Sequence, residues 1–438
     1  LAPRYERPVA PVAAGWAGDG GGGAAADAVG WRDVFGDPRL QALIELALRN
    51  NRDLRIAALN VELARAQFRV QRADQYPQLG ASGGADVRFT EADTVKSYSV
   101  GLGLSYELDL FGRIRNLKAA ALEAYLATAE ARRATHLSLV AEVATQYLTE
   151  RAFDEQLAVA KQTLAAVQES AEVTRRLLEQ GQRSDLDART AEAQVQTARS
   201  EVARVTRLRL QAANALVVLV GQPLLPGDLP APLSLEAQRT VTELAAGVPS
   251  QVLLRRPDIL AAEHSLRAAH ANIGVARAAF FPTISLTALG GLASSTLIGL
   301  VETGAAFLGG SAQLSQPLFT GGRNRASLDV AQVRTQIEVA RYEQTIQIAF
   351  REVADALAGR ATLDEQLQAQ IARVEAEQAR FAISEARYRA GIESYFAVLT
   401  AQRDLYAAQQ GLIDTRLQRL TNLVTLYRAL GGGWRERS

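Results

Sequence analysis

Cysteine is missing from all 438 residues, which removes disulfide frameworks, thiolate metal sites and cysteine nucleophiles together. Histidine is nearly missing: His136, His264 and His270 show no metal-ligand spacing, and the last two, six residues apart, fall on different faces of a helix. No metal and no cofactor is expected. Neither sign of charge dominates, since 48 basic against 47 acidic residues give a net charge of +1, and nucleic acid is not an expected partner. No grouping of nucleophile, base and oxyanion donors emerges and no GxxxxGK stretch occurs, so an enzyme is not expected. Proline is absent between Gly112 and Pro223 and again after Pro317, leaving two tracts where long helices can run. Long uncharged runs are also scarce. The longest, Ala278 to Val301, could span a bilayer as a helix, but Pro282, the pair Gly290 and Gly291, and the alternation of Thr283, Ser285 and Thr287 with Ile284, Leu286 and Ala288 favour an extended strand.

What the chain does contain is an unbroken period of two. In SYSVGLGLSYELDLF, residues 97 to 111, large apolar groups fall on Tyr98, Val100, Leu102, Leu104, Tyr106, Leu108 and Leu110, with Gly, Ser and then acids between them. One face suits lipid and the other a watery lumen; the alternative is a half-buried strand of a soluble sheet. Tyr98 and Tyr106 lie about 27 Å apart at about 3.4 Å per residue, which suits aromatic girdles at the two membrane interfaces.

The tract from Arg113 to Gln180 predicts a helix of 68 residues, about 100 Å at about 1.5 Å per residue. Phe153, Leu157, Ala160, Leu164, Val167, Ala171, Thr174 and Leu178 mark a heptad seam, as do Val195, Ala198, Val202, Val205, Arg209, Ala212, Leu216 and Leu219. The chain is also duplicated. RADQYPQLGAS around Pro77 recurs as RAAFFPTISLT around Pro282, an offset of 205, while DLFGRIRN recurs as PLFTGGRN, with Arg113 opposite Arg323 at an offset of 210. AEVATQYL at 141 matches REVADALA at 351, and Gly181 and Gly221 match Gly391 and Gly431, again at 210.

The expected organisation is an extended N-terminal arm (1–35), an equatorial helical segment (36–77), β-barrel hairpin 1 (78–111), long helical hairpin 1 (112–220), a proline-rich equatorial connector (221–257), a helix (258–281), β-barrel hairpin 2 (282–320), with Glu302 as its one charged group, long helical hairpin 2 (321–431) and a tail (432–438). The fold class is α+β: a membrane protein with four transmembrane strands per chain and long coiled-coil helices. Four strands cannot close a barrel, so several chains must share one. Two copies give eight strands and a filled lumen, whereas three give twelve and a bore, and three is the expectation.

Through YERP, GWRDVFGDPRL, NNRDLRIAALNVE, LDLFGRIR, LLRRPDI, AFFPTISL, PLFTGG and ALGGGW, nearly the whole chain resembles the TolC-type outer-membrane factors, and among them the OprM-like drug-efflux branch. The resemblance implies a homotrimer with a twelve-stranded outer-membrane barrel and a periplasmic α-barrel. It implies a passive exit duct working with a periplasmic adaptor and an inner-membrane pump of the resistance-nodulation-division class. It also implies a lipidated cysteine upstream of Leu1 in the native precursor. Other readings are the duct of a type I protein secretion or other export system, and a soluble periplasmic coiled-coil scaffold.

The helical hairpin tips, RLLEQGQRSDLDAR and RYRAGIESYFAVLTAQR, are the candidate periplasmic gate. Gly181 and Gly391 have the pattern of left-handed C-caps, Ser184 and Ser394 that of N-caps, and Asp187 stands at N3 of a Ser184 capping box. The resemblance implies in addition that Asp187 links to Tyr388 to hold the mouth shut, and that Phe396 is an apolar constriction; a core role for Phe396 is the alternative. Glu393 is a candidate partner for Arg183 or a solvated surface acid. The acids that the family places six and nine residues after the second tip glycine are replaced by Ala397 and Thr400.

Overall fold

The computed structural model describes residues 1–13, 24–25, 30–89, 94–225, 227, 229–238, 244–245, 256–301 and 305–432. Glu302, the glycine-rich run at 18–23, much of the 221–257 connector and Trp434 lie outside them.

In chain order the elements are β1 (Ala24–Ala25), α1 (Trp31–Val34), α2 (Pro38–Asn50), α3 (Arg52–Ala73), β2 (Gln78–Phe89), β3 (Thr94–Leu108), α4 (Arg113–Glu179) and α5 (Asp185–Val220). There follow β4 (Leu244–Ala245), α6 (Pro257–Ala278), β5 (Thr283–Ser294), a 3-10 turn (Ile298–Val301), β6 (Ala306–Ser315), α7 (Arg323–Arg389) and α8 (Tyr395–Ala429). The duplication is plain in these bounds: α4 and α7 are each 67 residues long, and α5 and α8 have 36 and 35. Past Ala278, which ends α6, the run to Val301 is not a long helix but a strand and a short 3-10 turn. Among the described residues no helix is long and apolar enough to cross a membrane.

Backbone contacts divide the chain into two units, residues 1–11, 57–131 and 258–345 in the first and 12–56, 132–257 and 346–438 in the second. The first unit holds a four-stranded antiparallel sheet in the order β2-β3-β5-β6, so that the two hairpins join through β3 and β5. Along that seam Tyr98 faces Ser294 and Leu108 faces Ile284. Val100, Leu102 and Leu104 are 56%, 56% and 40% exposed, a face of β3 that the chain itself does not cover. The expected hairpin ends at 111 and 320 lie a few residues beyond the last paired ones, Leu108 and Ser315. After Leu108 the Asp109 carboxylate turns to accept from the amides of Ile114 (3.0 Å) and Arg115 (2.9 Å), capping α4, and Arg113 makes a bidentate pair with Glu107 (2.8 and 2.6 Å). After Ser315 comes Pro317, which has no amide to offer a ladder. Phe111 stacks on Phe281 at 4.7 Å just past the end of α6.

Residues 1–11 are tied to α6 by one buried carboxylate. Glu263, its side chain 4% exposed, accepts from Arg7 Nε (3.0 Å) and Nη2 (2.7 Å), from Arg267 Nη2 (2.7 Å) and from the Tyr5 hydroxyl (3.3 Å). Burial opposes ionisation of Glu263 most strongly, yet the hydrogen bond from Arg7 and the charges of Arg267 and Arg7 outweigh it and hold the carboxyl below its ordinary value.

The second unit carries the larger core, in which Trp31, Phe35, Leu43, Ile44, Tyr147, Leu148 and Tyr427 are all at most 2% exposed. Each large side chain so buried contributes about 1.5–3 kcal/mol. Asp37, fully buried, caps α2 by accepting from the Arg39 amide (2.8 Å) and also accepts from the Tyr147 hydroxyl and Gln238 Nε2, both at 2.7 Å. The heptad seams are packed: Leu157, Ala160, Val167 and Thr174 on α4, and Val195, Ala198, Val205, Ala212 and Leu216 on α5, are buried.

Each return helix ends against the residue that starts its own repeat. Asn51 Nδ2 donates to the Leu219 carbonyl at 2.9 Å, and Arg256 Nη1 donates to the Ala429 carbonyl at 2.7 Å. Donors and acceptors are related by the sequence offsets of 205 and 210. Gly221, at φ +77°, closes α5 with its amide on the Val217 carbonyl, and a Cβ there would lie 2.4 Å from the Asn50 carbonyl oxygen.

Gly221→Ala combines a left-handed backbone, about 1–2 kcal/mol for an L-residue, with a backbone clash, and is expected to lower the thermal midpoint clearly; an unchanged midpoint would show that the α5–α2 junction yields freely. The Glu263 clamp predicts a pH effect of fixed sign. Because the folded carboxyl titrates below its unfolded value of about 4.3, its contribution is complete above that value and fades as pH falls through the lower folded one. Amide exchange of residues 1–11, corrected for intrinsic rates, should rise across that acid window, and Glu263→Gln should speed tryptic cleavage after Arg4 at neutral pH. Equal cleavage in parent and variant would remove the clamp as the anchor of the arm.

Candidate functional site

The two tips share one turn. α4 ends at Glu179 and the chain reverses through Gly181 (φ +69°), whose amide donates to the Leu178 carbonyl (2.8 Å) while that of Gln182 reaches the Leu177 carbonyl (2.9 Å). α7 ends likewise through Gly391 (φ +74°), with the Gly391 amide on Tyr388 (2.9 Å) and the Ile392 amide on Arg387 (3.0 Å). These are paired Schellman closures, which need a left-handed residue where only glycine sits without strain.

The starts of the return helices differ. Ser184 Oγ accepts from the Asp187 amide at 3.2 Å while Asp187 Oδ2 accepts from the Ser184 amide at 3.4 Å, a complete capping box, and Asp187 Oδ2 also accepts from the Ser184 hydroxyl at 2.9 Å. Ser394 occupies the N-cap of α8 with extended backbone, but its side chain makes no cap hydrogen bond.

Between the tips lies a small core of Tyr388, Tyr395, Val398 and Ala191, with Ala171, Phe381 and Leu399 packed against it. The two tyrosine rings are 5.4 Å apart, and the Arg183 guanidinium lies over the Tyr388 ring at 4.3 Å while donating to the Tyr388 carbonyl at 3.3 Å. Burial pushes the Tyr395 phenol above its ordinary value, partly offset by the hydrogen bond with Ser170 at 3.4 Å. Tyr395 was not among the residues singled out from the sequence, although the seven-residue steps Phe381, Tyr388, Tyr395 are the signal that would have found it.

Among the described residues neither the candidate Glu393–Arg183 pair nor the Asp187–Tyr388 link that the resemblance implies is formed within the chain. Glu393 pairs with Arg387 at 2.8 Å rather than with Arg183, because Arg183 is held over the Tyr388 ring. Asp187 is engaged by its own helix start, and the buried Tyr388 hydroxyl has no hydrogen-bond partner among the described residues, so the Asp187–Tyr388 bond is absent within the chain. Phe396 is 76% exposed and takes no part in the small core between the tips; Leu186 and Ile392, also on the tips, are 75% and 67% exposed. Tyr98 and Tyr106 sit on β3, half-buried, opposite Ala85 and next to the β5 seam respectively.

A family model described as outer membrane efflux protein matches residues 43–222 and 248–432. The probable efflux pump outer membrane protein TtgC of Pseudomonas putida is 47% identical over an alignment covering 100% of this chain and 93% of its own length. The outer membrane protein OprJ of Pseudomonas aeruginosa is 43% identical, with 100% and 93% covered. Among solved structures, the open state of the Neisseria gonorrhoeae MtrE outer membrane channel superposes with a TM-score of 0.92 at 41% identity, over 99% of this chain and 98% of that one. CusC, described for the conformational changes accompanying its folding and transmembrane channel formation, superposes with a TM-score of 0.89 at 41% identity, over 99% and 100%. The duplicated hairpins, the edge-to-edge seam and these end-to-end likenesses lead to one assignment: the chain belongs to the outer membrane efflux protein family, the TolC-type channels.

Proposed function

We propose that three copies of this chain close a twelve-stranded barrel in the outer membrane, and that the trimer is the passive exit duct of a tripartite efflux system. A periplasmic adaptor and an inner-membrane pump of the resistance-nodulation-division class deliver the cargo, drugs among it. The observation that carries the reading is the four-stranded sheet whose outer strands β2 and β6 are each paired on one side only. Such edges do not persist in hydrocarbon, and twelve strands leave a bore where eight leave a filled lumen. The likeness to TtgC, a probable efflux pump outer membrane protein, supports a pump as partner.

The tips serve as the gate in this reading. Leu186, Ile392 and Phe396 are apolar and uncovered, and three copies of them around one axis narrow the mouth and dewet it, which resists ions without using charge. Tyr388, Tyr395 and Arg183 brace the tips so that Phe396 is presented from a fixed helix start, with Gly181, Gly391, Ser184 and Asp187 setting the turns. Glu393 and Arg387 form an exposed pair of the kind worth at most about 1 kcal/mol.

Native mass spectrometry in detergent should give three times the chain mass; a stable monomer in buffer without detergent would sink the duct. In planar bilayers Phe396→Ala should raise single-channel conductance more than Glu393→Ala. Tyr388→Phe should leave conductance unchanged, because its hydroxyl has no hydrogen-bond partner among the described residues. Normal trimers of Phe396→Ala that conduct like the parent would place the constriction elsewhere.

A further inference from the structure

α6 turns opposite faces to different neighbours. One face meets the N-terminal arm, with Arg267 beside Glu263 and Tyr5 and with His270 edge-on to the Tyr5 ring. Across the helix, Ala268, Asn272 and Ala276 line a hollow of about 1280 Å³ that lies wholly within the first unit, walled by α4 on one side and α7 on the other. The two walls are built from matching positions. Ala124, Ala127 and Thr128 of α4 correspond, at the offset of 210, to Arg334, Ile337 and Glu338 of α7, and both sets line the same space. Repeats that turn the same face to one hollow are arranged around it.

The chemistry of the walls is unlike. α4 contributes small neutral groups, whereas α7 contributes Arg323, Arg334 and Arg341, eleven and seven residues apart and so on one helix face. Glu338, the one acid of the lining, is paired with Arg341 at 2.7 Å. The guanidiniums of Arg323 and Arg334 have no hydrogen bond or ion pair among the described residues. Val330 and Ile337, exposed and apolar, stand one turn to either side of Arg334 on the same wall. α6 and α7 leave the two ends of one hairpin and are joined there by Asn324 Nδ2, which donates to the Ala279 carbonyl at 2.8 Å. Ala268, eleven residues back from Ala279, is therefore level with Thr335, the neighbour of Arg334.

We propose that this hollow is part of the bore and that its α7 wall binds amphiphilic organic anions, the apolar body against Val330, Ile337 and Ala268 and the carboxylate or sulfonate at Arg334. Arg323, the first residue of α7, is a second station nearer the sheet. The proposal rests on the reading of the chain as an exit duct and names acidic amphiphiles as cargo that the duct favours. A hollow with low-dielectric walls and one sign of uncompensated charge concentrates counter-ions, and a guanidinium presents a planar fork that fits such head groups. A cation is repelled by the same wall, and a neutral solute gains nothing from it.

Because the chain has no cysteine, Ala268→Cys places a single thiol in the hollow of the full-length protein. Its reaction with sulfonatoethyl and with trimethylammonioethyl methanethiosulfonate, reagents of similar size and opposite charge, is compared with that of free cysteine. At about 0.01 M salt the anionic reagent should gain about tenfold over the cationic one, and at about 1 M, where the Debye length is about 3 Å, the gain should vanish. Arg323→Gln with Arg334→Gln should abolish it, while Arg325→Gln, outside the lining, should not. Octanoate should slow modification in the parent background and not in the double glutamine variant, and octyltrimethylammonium in neither. A thiol that reacts like free cysteine, a preference that survives the double substitution, or no protection by octanoate overturns the site. If native mass shows a trimer in that case, the duct reading still stands. A monomer that keeps the charge preference and the octanoate protection overturns the duct and supports the site.

Discussion

An open strand edge in hydrocarbon costs several kcal/mol for each unpaired backbone group, because no water is there to replace the missing partner. β2 and β6 present two such edges in every copy of this chain, and the rest of the architecture follows from the need to close them. The duplication is the economical solution. One repeat of helix, hairpin, long helix and return helix has been made to pair with its own duplicate across β3 and β5, and the same geometry is available again at the outer edges. The alternation along β3 agrees: Val100, Leu102 and Leu104 lie uncovered on one face, while Gly101, Gly103 and Ser105 leave the other face small and free of bulk.

The two repeats have since diverged where their surroundings differ. At the end of α5 the neutral Asn51 amide satisfies the Leu219 carbonyl, whereas at the end of α8 the Arg256 guanidinium serves Ala429 and also pairs with Glu352 at 2.9 Å. Glu352 in turn receives Arg428 at 3.3 Å, from the last turn of α8. A cation at a helix C-terminus is stabilised by the dipole, and Arg256 is only 7% exposed, so the second junction is a charge-assisted version of the first. Asp109 shows the same divergence at the other end of the long helices: it caps α4, and the residue 210 positions later is Phe319, which cannot cap α7.

Sequence periodicity was sufficient for the elements because the signals are local and repeated. The proline-free tracts predict helices that run from Arg113 and Arg323 to the tips, and the extended reading of Thr283 onward is the strand β5. The capping box at Ser184 is likewise a four-residue pattern, legible without tertiary knowledge. What could not be read is long-range pairing among charged side chains. Glu263 finds Arg7 across 256 residues, and nothing in the spacing distinguishes it from other acids on α6. Arg183 had two available partners, the Glu393 carboxylate and the Tyr388 ring, and the choice depends on where the Schellman turns aim the side chain, which spacing does not encode.

The tips show how unlike starts can follow like turns. The first return helix is secured locally, by the Ser184–Asp187 box and the acids Asp185 and Asp187 in its first turn, an arrangement worth about 1 kcal/mol. The second has no acid in its first turn and no side-chain cap; instead Tyr395, its first residue, is 3% exposed and packed beside Tyr388 and Ala191. Burying one such ring contributes about 1.5–3 kcal/mol, more than the absent cap would. The second tip therefore takes its order from the first, and pulling them apart would expose two tyrosines and free Arg183 from its ring. In the gate proposed above, opening that keeps the pair together avoids this cost, so movement of each tip pair as one body, with the uncovered Phe396 and Leu186 on its surface, is the cheaper motion.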